Sequence, residues 1–196
     1  MIILGLDIST SNVGYALVSS EPLQGHRLLK ADSINVHEKE GLYEKSKMVR
    51  DVFLDVMRDY RVDVIVVEES LMSFGKRRSS AATLAVLNRF NGIISFIARD
   101  TFGVPIAFVN SIVARKKAGL KIDKESGIDT KEQIFFWVKN HSLMRDFEWP
   151  TKIMKSGTRK GETVFEKKCY DISDAVVTAL WACDNLNIDG ASETIC

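Results

Sequence analysis

Acidic side chains stand at four places where folding alone would not put them. Asp7 interrupts the apolar run IILGLDI, although aspartate is depleted in strands. Glu68 and Glu69 follow directly on VDVIVV. Asp171 and Asp174 lie three apart in CYDISDAVVTAL, a spacing that puts both on one side of a helix. Brought to one edge of a sheet, such like charges repel unless cations compensate them. Ligands that are all oxygen suit Mg²⁺ or Mn²⁺ rather than Zn²⁺. One ion, or two roughly 4 Å apart, then activates a water and stabilises the leaving oxygen in phosphodiester cleavage. Each carboxylate also has a plain structural reading. Asp7 could close an Asx turn with Ser9-Thr10-Ser11-Asn12, either glutamate could be strand-end surface charge, and a helix N-terminus favours Asp171 and Asp174 by its dipole. Their convergence on one crevice argues for chemistry.

The elements that would deliver them can be read from periodicity. Ile2–Ile8, Val13–Ser19 and Arg27–Val36 read as three early strands in an antiparallel meander. Met48, Val49, Val52, Phe53, Val56, Met57 and Tyr60 mark one helical face. Val62–Val67 is a short apolar run suited to a central strand covered on both faces. A helix over Ser79–Arg99 and a strand over Val104–Val109 follow. Thr130–Asn140 reads as a helix with Thr130 as N-cap and Gln133 completing a capping box. Asp171–Asn185 is the closing helix, with Asp171 and Asp174 in its first turn. The expectation is one α/β domain, a mixed five-stranded sheet with helices on both faces. The ends of its adjacent strands would form the crevice.

Composition narrows the function classes. The 196 residues are 45% hydrophobic and 27% charged, ordinary for a globular chain. No apolar run in the sequence approaches the roughly 20 residues of a membrane span, and the N-terminal segment reads as a strand, not a signal peptide. Cys169, Cys183 and Cys196 form no CxxC pair, which argues against a disulfide framework and for a reducing, cytoplasmic setting. The net charge of +1 conceals an asymmetry. Between Ser111 and Lys168 there are 14 Lys or Arg against 8 Asp or Glu, while the remainder carries 13 against 18. Residues 141–168 lack sustained periodicity and read as a basic insertion, with six Lys or Arg after Trp149. A basic tract on a near-neutral chain points to a phosphate backbone, or else to a solvated loop.

IILGLDISTSNVGYALV, VDVIVVEESLM, the Lys131 that opens a helix after Asp129-Thr130, and CYDISDAVVTAL together resemble the motifs of RuvC-type Holliday junction resolvases, in the same order from Ile2 to about Cys183. These are RNase H-like nucleases with phage and viral variants. The resemblance implies an RNase H-like sheet and a Mg²⁺- or Mn²⁺-dependent endonuclease that cuts four-way DNA junctions as a homodimer, with branch-migration or replication proteins as further partners. By resemblance, Asp7, Glu68, Asp171 and Asp174 match the catalytic metal ligands, and Lys131 matches a catalytic lysine near the scissile phosphate. Arg115, Lys116 and Lys117 fall near a second basic position. Lys152, Lys155, Arg159, Lys160, Lys167 and Lys168 would bind phosphate backbone, and Phe74 could replace a base-stacking aromatic. The helix over Ser79–Arg99 is the candidate dimer surface. The family's Pro-Gly after the first Asp is here Ile8-Ser9, and its aromatic after the Glu is Leu71. Rival readings are a nuclease for flaps or RNA–DNA hybrids, a lobe of a sugar-kinase or actin-like ATPase, and a non-catalytic DNA-binding module.

Overall fold

The computed structural model describes residues 1–37, 39, 41–69 and 80–186. Phe74 and Leu71 lie outside the described residues. The strands are β1 (Ile2–Ile8), β2 (Asn12–Glu21), β3 (Gly25–Asn35), β4 (Val64–Glu68) and β5 (Ile106–Val109). They form one sheet in the order β3-β2-β1-β4-β5. The meander β1–β2–β3 is antiparallel, and β4 and β5 add in parallel beyond β1. β1 is thus the middle strand, and Ile3, Leu4 and Leu6 on it have no exposed surface.

Both faces of the sheet are covered. On one, α1 (Gly41–Asp59) and α2 (Ala81–Phe102) bury Val49, Phe53, Val56, Phe90, Ile94 and Ala98 against Leu4, Leu6, Ile65 and Val67. On the other, α3 (Ser111–Lys117), α4 (Thr130–Lys139) and α5 (Lys168–Asn185) pack on Ile3, Val64, Val66, Ala107 and Val109. α5 is the tightest. Its residues from Ile172 to Leu180 are all buried, and it crosses β1 and β2 where they carry Gly5 and Gly14.

Several boundaries differ from the sequence reading. Asp129, not Thr130, caps α4: its carboxylate accepts the Lys131 amide at 2.8 Å. Gln133 is drawn away from the cap because its amide holds the preceding loop, bonding the carbonyls of Asp123 and Ile128. α5 starts at Lys168, which moves Asp171 to the end of its first turn and Asp174 into its second. α3 escaped the periodicity reading because seven residues make barely two turns. The stretch 141–168 is not structureless. It holds a 3₁₀ turn at Ser142–Met144 and a hairpin of β6 (Thr151–Ile153) with β7 (Thr163–Phe165). Three-residue, solvent-facing strands leave no apolar alternation to read. α2 is long and apolar enough, by length and composition, to cross a membrane. Residues such as Arg89 and Asn91 had broken it into shorter runs in the sequence.

Trp149 belongs to the hairpin's root. It meets Phe135 and Phe147 edge-on at 5.0 Å each, and Phe135 also touches Phe165 and Tyr170. The hairpin therefore stands on an aromatic cluster that α4 and α5 share, although the buried Trp149 indole N–H has no hydrogen-bond partner.

Candidate active site

Strand alternation decides which way Asp7 points. Ile3 and Gly5 face α5, while Leu4 and Leu6 face α1 and α2, so Asp7 faces α5. The same parity applies on β4, where Val64 and Val66 face α5 and Glu68 follows them. The β1–β4 register pairs Leu6 with Val67, and one further step sets Asp7 beside Glu68. On the other side Asp7 pairs with Gly14, and Gly14 with Ser33. Glu68 itself pairs with Val109. A single row of side chains, Ser33, Gly14, Asp7, Glu68 and Val109, thus crosses all five strands on one face.

α5 lowers Asp171 and Asp174 onto this row. A Cβ on Gly14 would sit 2.2 Å from the Asp171 carbonyl oxygen, so only glycine admits the helix there. Asp171 and Asp174 are 9% and 5% exposed, and Asp7 and Glu68 are half-buried. Glu69, by contrast, is exposed, and its amide continues the ladder to Val109.

Three of the four carboxylates have a neighbour of their own. The Ser33 hydroxyl donates to Asp171 Oδ2 at 3.3 Å, and Ser111 lies close enough to Glu68 to favour its charged form. The Arg115 guanidinium pairs with Asp174 Oδ1 at 3.1 Å. Lys131, exposed at the start of α4, acts electrostatically on all four. Among the described residues, no three His, Cys, Asp or Glu side chains are drawn into a ready-made metal cage. The acids share an edge, but Asp171 and Asp174 turn to separate partners.

The electrostatics of that edge are unfavourable to negative charge. Burial holds Asp7 well above the usual carboxylate range, and Asp174, Glu68 and Asp171 add repulsion that Lys131 only partly offsets. Burial pushes Glu68 up to about 7, again with Asp174 contributing, against the pull of Arg115, Ser111 and Lys131. Asp171 and Asp174 are raised by burial too, opposed by Lys131 in both and by Arg115 at Asp174. Four acids sharing one edge, supplied with oxygen donors alone, form a donor set that fits a hard divalent cation.

The remaining candidates divide. Arg115 is committed to Asp174, and Lys168 pairs with Asp32 at 3.3 Å, so neither is a free surface cation. Arg159 pairs with Glu162 on the hairpin. Lys116, Lys117, Lys152, Lys155, Lys160 and Lys167 are exposed. Ser33, Ser111 and the Arg115–Asp174 pairing left no signal in the sequence, because isolated serines and one arginine in a basic run carry no periodic or motif information.

No family model matches the chain. It is similar to the crossover junction endodeoxyribonucleases RuvC of Wolinella succinogenes, 24% identical over 97% of this chain and 98% of that one, and of Campylobacter concisus, 25% identical over 96% and 100%. Among solved structures, Thermus thermophilus RuvC in complex with Holliday junction substrate superposes with a TM-score of 0.61 at 18% identity, covering 92% of each chain. The yeast mitochondrial Holliday junction resolvase Ydc2 superposes at 0.52, with 13% identity over 92% of this chain and 77% of that one. The mixed five-stranded sheet with its flanking helices is therefore the RNase H-like fold of these resolvases.

Proposed function

We propose that this chain is a crossover junction endodeoxyribonuclease of RuvC type, a divalent-metal-dependent enzyme that hydrolyses phosphodiester bonds in four-way DNA junctions. The carrying observation is the meeting of Asp7, Glu68, Asp171 and Asp174, from three elements far apart in sequence, at one edge where each raises or feels the others' charge. Near full-length similarity to RuvC enzymes, and a relative that holds a Holliday junction, support the substrate.

Asp7, Glu68, Asp171 and Asp174 would hold one or two Mg²⁺ or Mn²⁺ ions. Bound there, such an ion supplies an activated water and neutralises charge on the phosphodiester. The chain's own groups do the rest. Gly5 and Gly14 fix the depth of α5, while Ser33 and Ser111 orient Asp171 and Glu68. Lys131, exposed beside the carboxylates, faces the entering phosphate and offsets charge that develops on it. Lys116, Lys117 and the lysines of the β6–β7 hairpin extend positive potential along the flanking backbone. Symmetric cutting of a four-way junction calls for two such sites. α2 leaves Val86 and Phe96 exposed, which supports a homodimer through that helix.

The direct test incubates the protein with labelled four-way junction, linear duplex, flap, RNA–DNA hybrid or ATP, each with Mg²⁺ or EDTA. Mg²⁺-dependent symmetric nicking of the junction in preference to the other DNAs is the expected result. Preference for flaps or hybrids would move the activity elsewhere in the fold family, and ATP turnover without cleavage would refute a nuclease.

A further inference from the structure

α3 is seven residues long, yet it bonds one of the four carboxylates and stands beside a second. Ser111 and Arg115 are four positions apart and so on one helical face; Ser111 is near Glu68 on β4, and Arg115 bonds Asp174 on α5. The Arg115–Asp174 pair is sheltered: the two side chains are 20% and 7% exposed. A guanidinium does not lose its proton in a protein, so its charge stays wherever its side chain stays. A divalent ion approaching Asp174 therefore meets a fixed positive charge already on that carboxylate.

Resting on the divalent-cation reading above, we propose that Arg115 is a resident counter-cation of the metal site, a positioning residue that holds Asp174 in the unloaded protein and must release it when a divalent ion binds. The pairing reduces the penalty of a nearly buried carboxylate in the metal-free chain. It occupies Oδ1 of Asp174 with a guanidinium, consistent with the absence of a ready-made cage among the described residues. The released guanidinium is a planar fork, the geometry that matches phosphate oxygens two at a time. Metal loading and phosphate binding are then coupled through one side chain: a phosphate that takes up Arg115 frees Asp174 for the ion.

The test is calorimetric titration of Mn²⁺ into the full chain without DNA, so that the readout is affinity, not turnover. Arg115→Ala is expected to bind Mn²⁺ at least about tenfold more tightly than wild type, because a competing charge has gone. Arg115→Lys keeps the charge and stays near wild type, as does Lys121→Ala, which removes a positive charge from the loop after α3. Should Arg115→Ala fail to fold, Arg115→Met keeps the aliphatic stem and carries the same expectation. Unchanged or weaker Mn²⁺ affinity in the folded neutral variant would overturn the displacement role while leaving the metal site standing. No Mn²⁺ binding by any of the proteins would instead bring down the metal reading itself.

Discussion

Gly14 stands directly across from Asp7 in the β1–β2 pair, and the space left by its missing side chain is filled by the main chain of Asp171. One small residue thereby fixes the distance between a strand carboxylate and a helix carboxylate. Gly14→Ala would force its Cβ to within 2.2 Å of the Asp171 carbonyl oxygen, so α5 must shift outward. Overpacking of this kind costs about 1–3 kcal/mol. We expect a lower melting temperature together with a loss of cleavage larger than destabilisation alone would give. Gly92→Ala, on α2 with nothing within 4 Å of the new Cβ, should be neutral or stabilising by up to about 1 kcal/mol. Full cleavage by a folded Gly14→Ala would contradict the packing account.

The metal-free protein should weaken as pH rises through the acidic range. Glu68 ordinarily titrates at 4.5 and is held at about 7 in the fold. An acid whose folded value is raised binds more protons folded than unfolded, so this contribution is present below about 4.5 and lost as pH climbs to about 7. Its size is of the order of 3 kcal/mol, and Asp7 acts in the same direction. Melting curves in EDTA between pH 4.5 and 8 should show a decline that Glu68→Gln reduces and saturating Mg²⁺ suppresses. Identical pH slopes in wild type and Glu68→Gln would rule out a strained Glu68.

Lys131 bears on all four carboxylates at once. Lys131→Ala should lower the single-turnover cleavage rate by roughly 10²- to 10³-fold, the scale for losing one electrostatic stabiliser. Junction affinity should change far less, since one exposed cation contributes little to a large phosphate interface. A variant that loses binding and cleavage in equal measure would make Lys131 an ordinary backbone contact.

On the hairpin, Lys152, Lys155 and Lys160 are the exposed cations without an ion-pair partner among the described residues. Replacing all three by Ala should weaken junction binding. It should also reduce the slope of log affinity against log salt by up to about 3, as fewer counterions are released. An unaltered slope would show that the hairpin does not touch the backbone.

Much of this arrangement was legible in the chain because it depends on strong local signals. IILGLDI and VDVIVVE announce buried strands, and an acid at the end of each has few structural reasons to be there. The apolar stripe from Ile172 to Leu180 likewise declares a helix laid on the sheet. Other features depend on tertiary neighbours. Asp129 outcompeted Thr130 as the cap because Gln133 was taken up by the loop before α4. Arg115 looked like one more cation in ARKK, and only the approach of α5 to α3 makes it the partner of Asp174. The β6–β7 hairpin was invisible because its stability comes from the aromatic root at Phe135 and Trp149, not from its own strands.

The decisive measurement is cleavage of a labelled four-way junction by wild type and by Asp7→Asn, each with Mg²⁺ and with EDTA, alongside junction binding in the same buffers. Wild type should cut only with Mg²⁺. Asp7→Asn should bind the junction as well or better, because repulsion of phosphate is relieved, and cut at least about 10³-fold more slowly. Undiminished cutting by Asp7→Asn, or cutting by wild type in EDTA, would contradict a metal-holding carboxylate site built around Asp7.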